Sequence, residues 1–180
     1  MTAEEREFVV GELVRSEARL LQALDGLSAA QWRFRDGPER WSIAEVVEHL
    51  VVFEEFIRGA VRKALDGPAE IGKRAEVARK EGLVLGLAES RGTKFVAREA
   101  ARPMGRWENL AEGITAFRKA RAKTLEFVGR EHAELRDHFF THIVFGDLDC
   151  YQWLVVLARH VDRHVLQIEE IKRDVGYPRG

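Results

Sequence analysis

Four stretches of this chain repeat apolar residues every three or four positions, and little of it alternates them every second position. That period lays apolar side chains along one helix face, and such a face must be buried against another element. The first stretch runs from about Ala3 to Leu24, with Val9, Leu13, Leu20, Leu24 and Leu27 on one side. Thr2 followed by Glu5 reads as a capping box, in which hydroxyl and carboxylate satisfy backbone N–H groups that lack a helical partner. Asp25-Gly26 reads as the stop. The second runs from about Ser42 to Leu65, opened by Ser42 with Glu45, lined by Val46, Leu50, Phe53, Phe56, Ile57 and Ala60, and closed by Asp66-Gly67-Pro68. The third runs from about Trp107 to Gly129, with Leu110, Ile114, Phe117, Thr124 and Val128 on its stripe. The fourth runs from about Cys150 to Arg173, with Asp149 as N-cap and Tyr151, Trp153, Leu154, Leu157, Val161, Ile168 and Ile171 as its apolar members.

Four long helices with one apolar stripe each predict an all-α chain, a four-helix bundle in a single domain over residues 1–180. Residues 28–41 hold Trp32 and Trp41, two rings expected to pack over the end of the bundle. Residues 66–105 form a long link between the second and third helices. Compact domains rarely hold a structureless loop of that length. A short helix is therefore expected near Lys73–Lys80 or Leu83–Glu89, then an extended stretch to Pro103. So long a connection can cross from one end of the bundle to the other, which allows an up-down-down-up order.

Composition narrows the partners. Hydrophobic residues make up 46% and charged residues 33%, so the chain reads as folded and soluble rather than disordered. The net charge is −1 and no basic patch is interleaved with aromatics, which argues against a nucleic-acid partner. No apolar run approaches the ~20 residues that span a bilayer, so no membrane role is expected. Cys150 is the single cysteine, which excludes a disulfide within the chain. The start, Thr2-Ala3-Glu4-Glu5, lacks the basic and apolar parts of a secretory signal. Both features lead to a cytoplasmic expectation.

His160 and His164 are four residues apart, one turn above another on the face that carries Trp153, Leu157, Gln167, Ile168 and Ile171. His49 shares the stripe of Val46, Phe53, Phe56 and Ala60. Neutral imidazoles in a core need partners for their ring nitrogens. One divalent ion would serve all three and leave a fourth position for water or substrate. Spacing alone leaves a plainer reading open, in which the histidines are satisfied core or surface residues. Val161 stands where zinc proteases carry glutamate, so a protease-type base is missing from the motif. Glu45, one turn before His49, either reaches the site or serves the cap. Arg121, on the third helix's stripe, either snorkels from the rim, the favoured reading, or faces the pocket to bind an anion. Cys150, at a helix start, is read as inert. His132, His138 and His142 lie in a loop-like stretch and read as ordinary polar residues, with His138 or His142 able to sit near the site mouth.

Three segments together carry a family resemblance. Trp41-Ser42-Ile43-Ala44-Glu45-Val46-Val47-Glu48-His49-Leu50 resembles the second-helix signature of the DinB-like superfamily. Gly146 to Trp153, followed by His160-Val161-Asp162-Arg163-His164-Val165-Leu166-Gln167-Ile168, resembles its last helix. Ala97 to Ala100 and Pro103 to Arg106 are similar to the segment before its third helix. The resemblance implies one divalent metal held by His49, His160 and His164, with nickel or zinc first and iron or manganese next. It implies a metal-dependent enzyme acting on a small molecule. One version is a transferase using a low-molecular-weight thiol; another is a hydrolase; the alternative is a non-catalytic metal-binding or small-ligand-binding stress-response protein. A homodimer is a further expectation from the family, with no heptad seam to carry it.

Overall fold

The computed structural model describes residues 1–88 and 102–179. In chain order they form α1 (Ala3–Leu24), α2 (Ala29–Arg33), α3 (Ile43–Leu65), α4 (Arg74–Ala78), α5 (Glu81–Leu85), α6 (Leu110–Arg130), β1 (Phe139–His142), β2 (Gly146–Asp149) and α7 (Cys150–Lys172). Helix therefore dominates, as the periodicity predicts. The caps read from the sequence are formed: Thr2 with Glu5, Ser42 with Glu45, and Asp149 with Gln152 each close a capping box. Gly26 adopts φ 68° just past α1, a left-handed conformation that glycine takes without strain. α4 and α5 supply the short helices expected in the link. Much of the expected extended stretch before Pro103, and the Ala97–Ala100 part of the resemblance, lie outside the described residues.

Several details differ from the sequence reading. α6 starts at Leu110, not Trp107, because the Asn109 side chain accepts the Glu112 N–H and fixes the first turn there. Trp32 sits in an unforeseen short helix, α2, capped by Ser28 and Gln31. It is 1% exposed and packs against the bare backbone of Gly113, where a Cβ would stand 2.8 Å from the ring. Phe56 is 45% exposed and does not join the inward face. Residues 139–149, read as loop, form a hairpin with Phe139 opposite Asp149 and His142 opposite Gly146. It is held from outside its own sequence: the Trp153 indole N–H donates to the Phe140 carbonyl at 3.0 Å, and the two rings stack at 4.3 Å.

The core has two parts. Val9, Leu13, Ile57, Val61, Leu154 and Leu157 belong to one, and Leu20, Leu24, Val46, Phe117, Val161 and Ile168 to the other. Cys150 is fully buried in the first, and burial pushes its thiol up to about 12. Arg121 fits neither sequence reading. It is 0% exposed and forms an ion pair with Glu54, itself 1% exposed. It also donates to the Leu13 carbonyl at 2.6 Å and to the Ser16 hydroxyl at 3.0 Å. Glu54 accepts from the Thr124 hydroxyl at 2.6 Å, and Arg58 donates to Thr124 Oγ1 and the Ala120 carbonyl at 3.2 Å. Glu54 is the partner that Arg121 requires in a dry interior, and the cluster ties α1, α3 and α6 together. Among the described residues no helix is long and apolar enough to cross a membrane.

Candidate metal centre

α3 and α7 bring His49, His160 and His164 together, although 111 residues separate His49 from His160 in the chain. Among the described residues these three are the one group of His, Cys, Asp or Glu side chains close enough to share an ion. His49 is 4% and His164 8% exposed. The His160 Nε2 lies 3.3 Å from the His49 Nε2 and 3.2 Å from the His164 Nε2. A tetrahedral ion bound at about 2.0–2.1 Å has ligand atoms about 3.3 Å apart. Two of the three donor pairs already stand at that spacing, and all three donors lie within 4.8 Å of one another.

The surrounding bonds orient two of the rings. The Gln167 amide oxygen is an acceptor only, so at 2.9 Å the His164 Nδ1 carries the hydrogen and Nε2 keeps its lone pair for the centre. The His160 ring lies stacked on Phe53 at 4.0 Å, and its buried Nδ1 has no hydrogen-bond partner among the described residues. Burial, then the neighbouring His164 and His49, push the His160 imidazolium well below its ordinary range. That ring is therefore neutral near pH 7, as a metal ligand must be. Three imidazole nitrogens converging on one point satisfy one another poorly, and a cation satisfies all of them. The donor set fits one divalent ion.

The other candidates separate. Glu45 serves its cap: Oε2 accepts the Ser42 N–H and hydroxyl, and Oε1 pairs with Arg35 at 2.7 Å. His138 Nδ1 donates to the Ala64 carbonyl at 3.0 Å, at the far end of α3. His142 Nδ1 accepts the Val144 and Phe145 N–H groups, and its ring lies 5.0 Å from Trp153. It is one of the groups whose charge opposes a proton on His160. Two residues escaped the sequence reading. Trp41, expected at the bundle end, lies 4.9 Å from the His49 ring and 6.4 Å from the His164 ring. Glu48, 2% exposed and next to His49, accepts the N–H groups of Met104, Gly105 and Arg106 at 2.8–3.1 Å and pairs with the Arg106 side chain. Its place in the helix signature was the signal, but its partners lie more than fifty positions away. An open cleft of about 430 Å³, lined by Arg58, Arg62, Lys123, Glu126 and Phe127 among others, shares no residue with the histidines.

Comparison with known proteins agrees with the geometry. An uncharacterised protein of Bacillus subtilis (strain 168), YuaE, is 25% identical over 162 residues, covering 89% of this chain and 96% of that protein. No solved structure matches the chain. The family description "DinB superfamily" matches residues 12–168, which take in α3, most of α7 and all three histidines. The chain belongs to the DinB superfamily.

Proposed function

We propose that this chain is a metal-dependent enzyme that carries out a thiol-dependent group transfer on a small molecule. The observation that carries the metal part is the spacing of the three Nε2 atoms, 3.2 and 3.3 Å, on rings already oriented toward one point. Nickel or zinc suits three imidazoles, and a low-molecular-weight thiol suits a remaining position beside them. When bound, the ion supplies a Lewis acid that lowers the pKa of a ligand held there.

The chain's own residues supply the rest. Gln167 holds the tautomer of His164, and Phe53 and Trp41 lie beside the His160 and His49 rings. A hydrolase needs a base for the proton of its water. The two carboxylates nearest His49 in the sequence, Glu45 and Glu48, are bound to backbone N–H groups and arginines. An ion would acidify a bound thiol and a bound water alike, but a free thiol starts at a pKa of about 8.5, far below water, so it has less need of such a base, and that supports transfer over hydrolysis. We also read the four long helices as an up-down-down-up bundle. In support, Arg6 and Leu13 of α1 meet Val128 and Arg121 of α6, while Glu12 and Arg19 meet Arg159 and Asp162 of α7. On that reading α1 and α7 run together, opposite to α3 and α6.

The test pairs elemental analysis of tag-free protein with a conjugation assay, in which metal-loaded chain is given common cellular thiols and a halogenated aromatic electrophile. Stoichiometric metal and thiol-dependent conjugation are expected. Metal with ester hydrolysis and no conjugation would replace transfer by hydrolysis. Metal with neither activity would leave a binding protein, and no metal would end the reading.

A further inference from the structure

Two aromatic side chains flank the histidines in a way that ligand support alone does not require. Trp41, in the turn before α3, covers the His49–His164 edge of the triangle, 4.9 Å from the first ring and stacked at 6.4 Å on the second. Phe53, one turn beyond His49, covers the His49–His160 edge, 6.0 Å from the first ring and 4.0 Å from the second. The third edge belongs to α7 alone. Both aromatic rings are half-buried, so each keeps surface that faces outward. Phe53 also packs into the cluster that holds Phe140, Phe145 and Trp153, which extends the aromatic surface toward the hairpin. The neighbouring carboxylates Glu45 and Glu48 are engaged elsewhere.

Trp41 and Phe53 each lie within 6.4 Å of two of the three histidine rings, so a molecule that meets an ion there comes close to both. Half-exposed flat rings favour another flat ring, because offset stacking and edge contacts bury area with little loss of freedom. We propose that Trp41 and Phe53 are the specificity-determining residues of this centre, and that its substrate carries an aryl group beside the atom that meets the ion. The proposal rests on the metal reading above and deepens it by naming a substrate class. A saturated ring of the same size is thicker and lacks the π face, so it fits the same walls less closely.

The test uses cobalt(II)-loaded full chain and two chelators, benzohydroxamate and cyclohexanecarbohydroxamate, followed by the cobalt absorption bands. Both chelate through the same two oxygens, so their affinity ratio reports the ring and not the reaction class. Wild type is expected to bind benzohydroxamate about tenfold more tightly, the scale of one or two aromatic contacts. Trp41→Leu and Phe53→Leu are each expected to cut that preference to about threefold or less with cobalt stoichiometry unchanged. Trp41→Phe and Phe53→Tyr, which keep a flat ring, retain it. A wild-type ratio near one, or a ratio unchanged in both leucine variants, overturns the proposal. Loss of cobalt from both leucine variants also overturns it, because the rings would then be ligand supports. A wild-type chain that takes up no cobalt shows no absorption bands before any chelator is added, and that outcome defeats the metal reading itself.

Discussion

The Nε2 atoms of His49 and His160 stand 3.3 Å apart, although 111 residues separate them in the chain. Two long helices, α3 and α7, must pack in one register for that contact to exist, and Phe53 of α3 stacks on His160 across the same seam.

That contact makes each ligand separable from the fold. His49→Ala and His160→Ala are expected to lose stoichiometric metal while far-UV circular dichroism stays helical. Metal that binds only the folded chain should raise wild-type thermal stability by about 2.7 kcal/mol at a hundredfold excess over Kd. Chelation should remove that gain from wild type and leave both variants unmoved. Differential scanning calorimetry with and without chelator checks it.

The Glu54–Arg121 pair predicts non-additive stability. Both partners are essentially fully buried, so removing one leaves the other charged and dry. Arg121→Met alone is expected to cost about 3–5 kcal/mol. Arg121→Met with Glu54→Leu should cost clearly less than the sum of the two single changes. Urea unfolding of the four proteins closes the cycle, and plain additivity would deny the coupling.

Glu48 anchors the segment that enters α6. Its carboxylate collects three N–H groups and the Arg106 guanidinium. Glu48→Gln keeps the shape but weakens acceptance, and is expected to cost about 1–3 kcal/mol. Trypsin should then cut after Arg106 faster than in wild type, with metal content unchanged. Equal cleavage rates would show that the anchor does not hold this segment.

Gly113 lies under the Trp32 ring, and an added methyl would stand 2.8 Å from it. Alanine improves helix propensity by about 1 kcal/mol. Overpacking against a ring that is 1% exposed costs about 1–3 kcal/mol. Gly113→Ala is therefore expected to destabilise or, at best, to break even. A rise in melting temperature would contradict the contact.

Cys150 should be silent in the native protein. Burial, then the Asp149 charge, lift its thiol from the ordinary value of 9.0 to about 12. A raised folded value means that the folded chain holds its proton longer than the unfolded chain does. The stability linked to this group is therefore complete below about pH 9 and is lost as pH rises from there toward 12. A disulfide-exchange reagent at pH 8 should find no thiol before denaturant is added and one thiol afterwards.

Local features were legible along the chain. Helix period marked α1, α3, α6 and α7, and cap residues such as Thr2, Ser42 and Asp149 set where three of them begin, because a capping bond spans only three residues. The same period put His160 and His164 on one inward face and His49 on another, and the motifs around them joined the three. What lay between distant residues was not legible. Arg121 gave no sign of Glu54, Glu48 none of the 104–106 backbone, and Trp41 none of the two histidines it covers. The 139–149 hairpin was missed because its support comes from Trp153, outside its own sequence. These pairings follow from how faces of separate helices meet, and no periodicity along one helix encodes the register against another. Tertiary packing brought the three histidines that those motifs joined to one point, and it alone decided that two aromatic rings stand beside them.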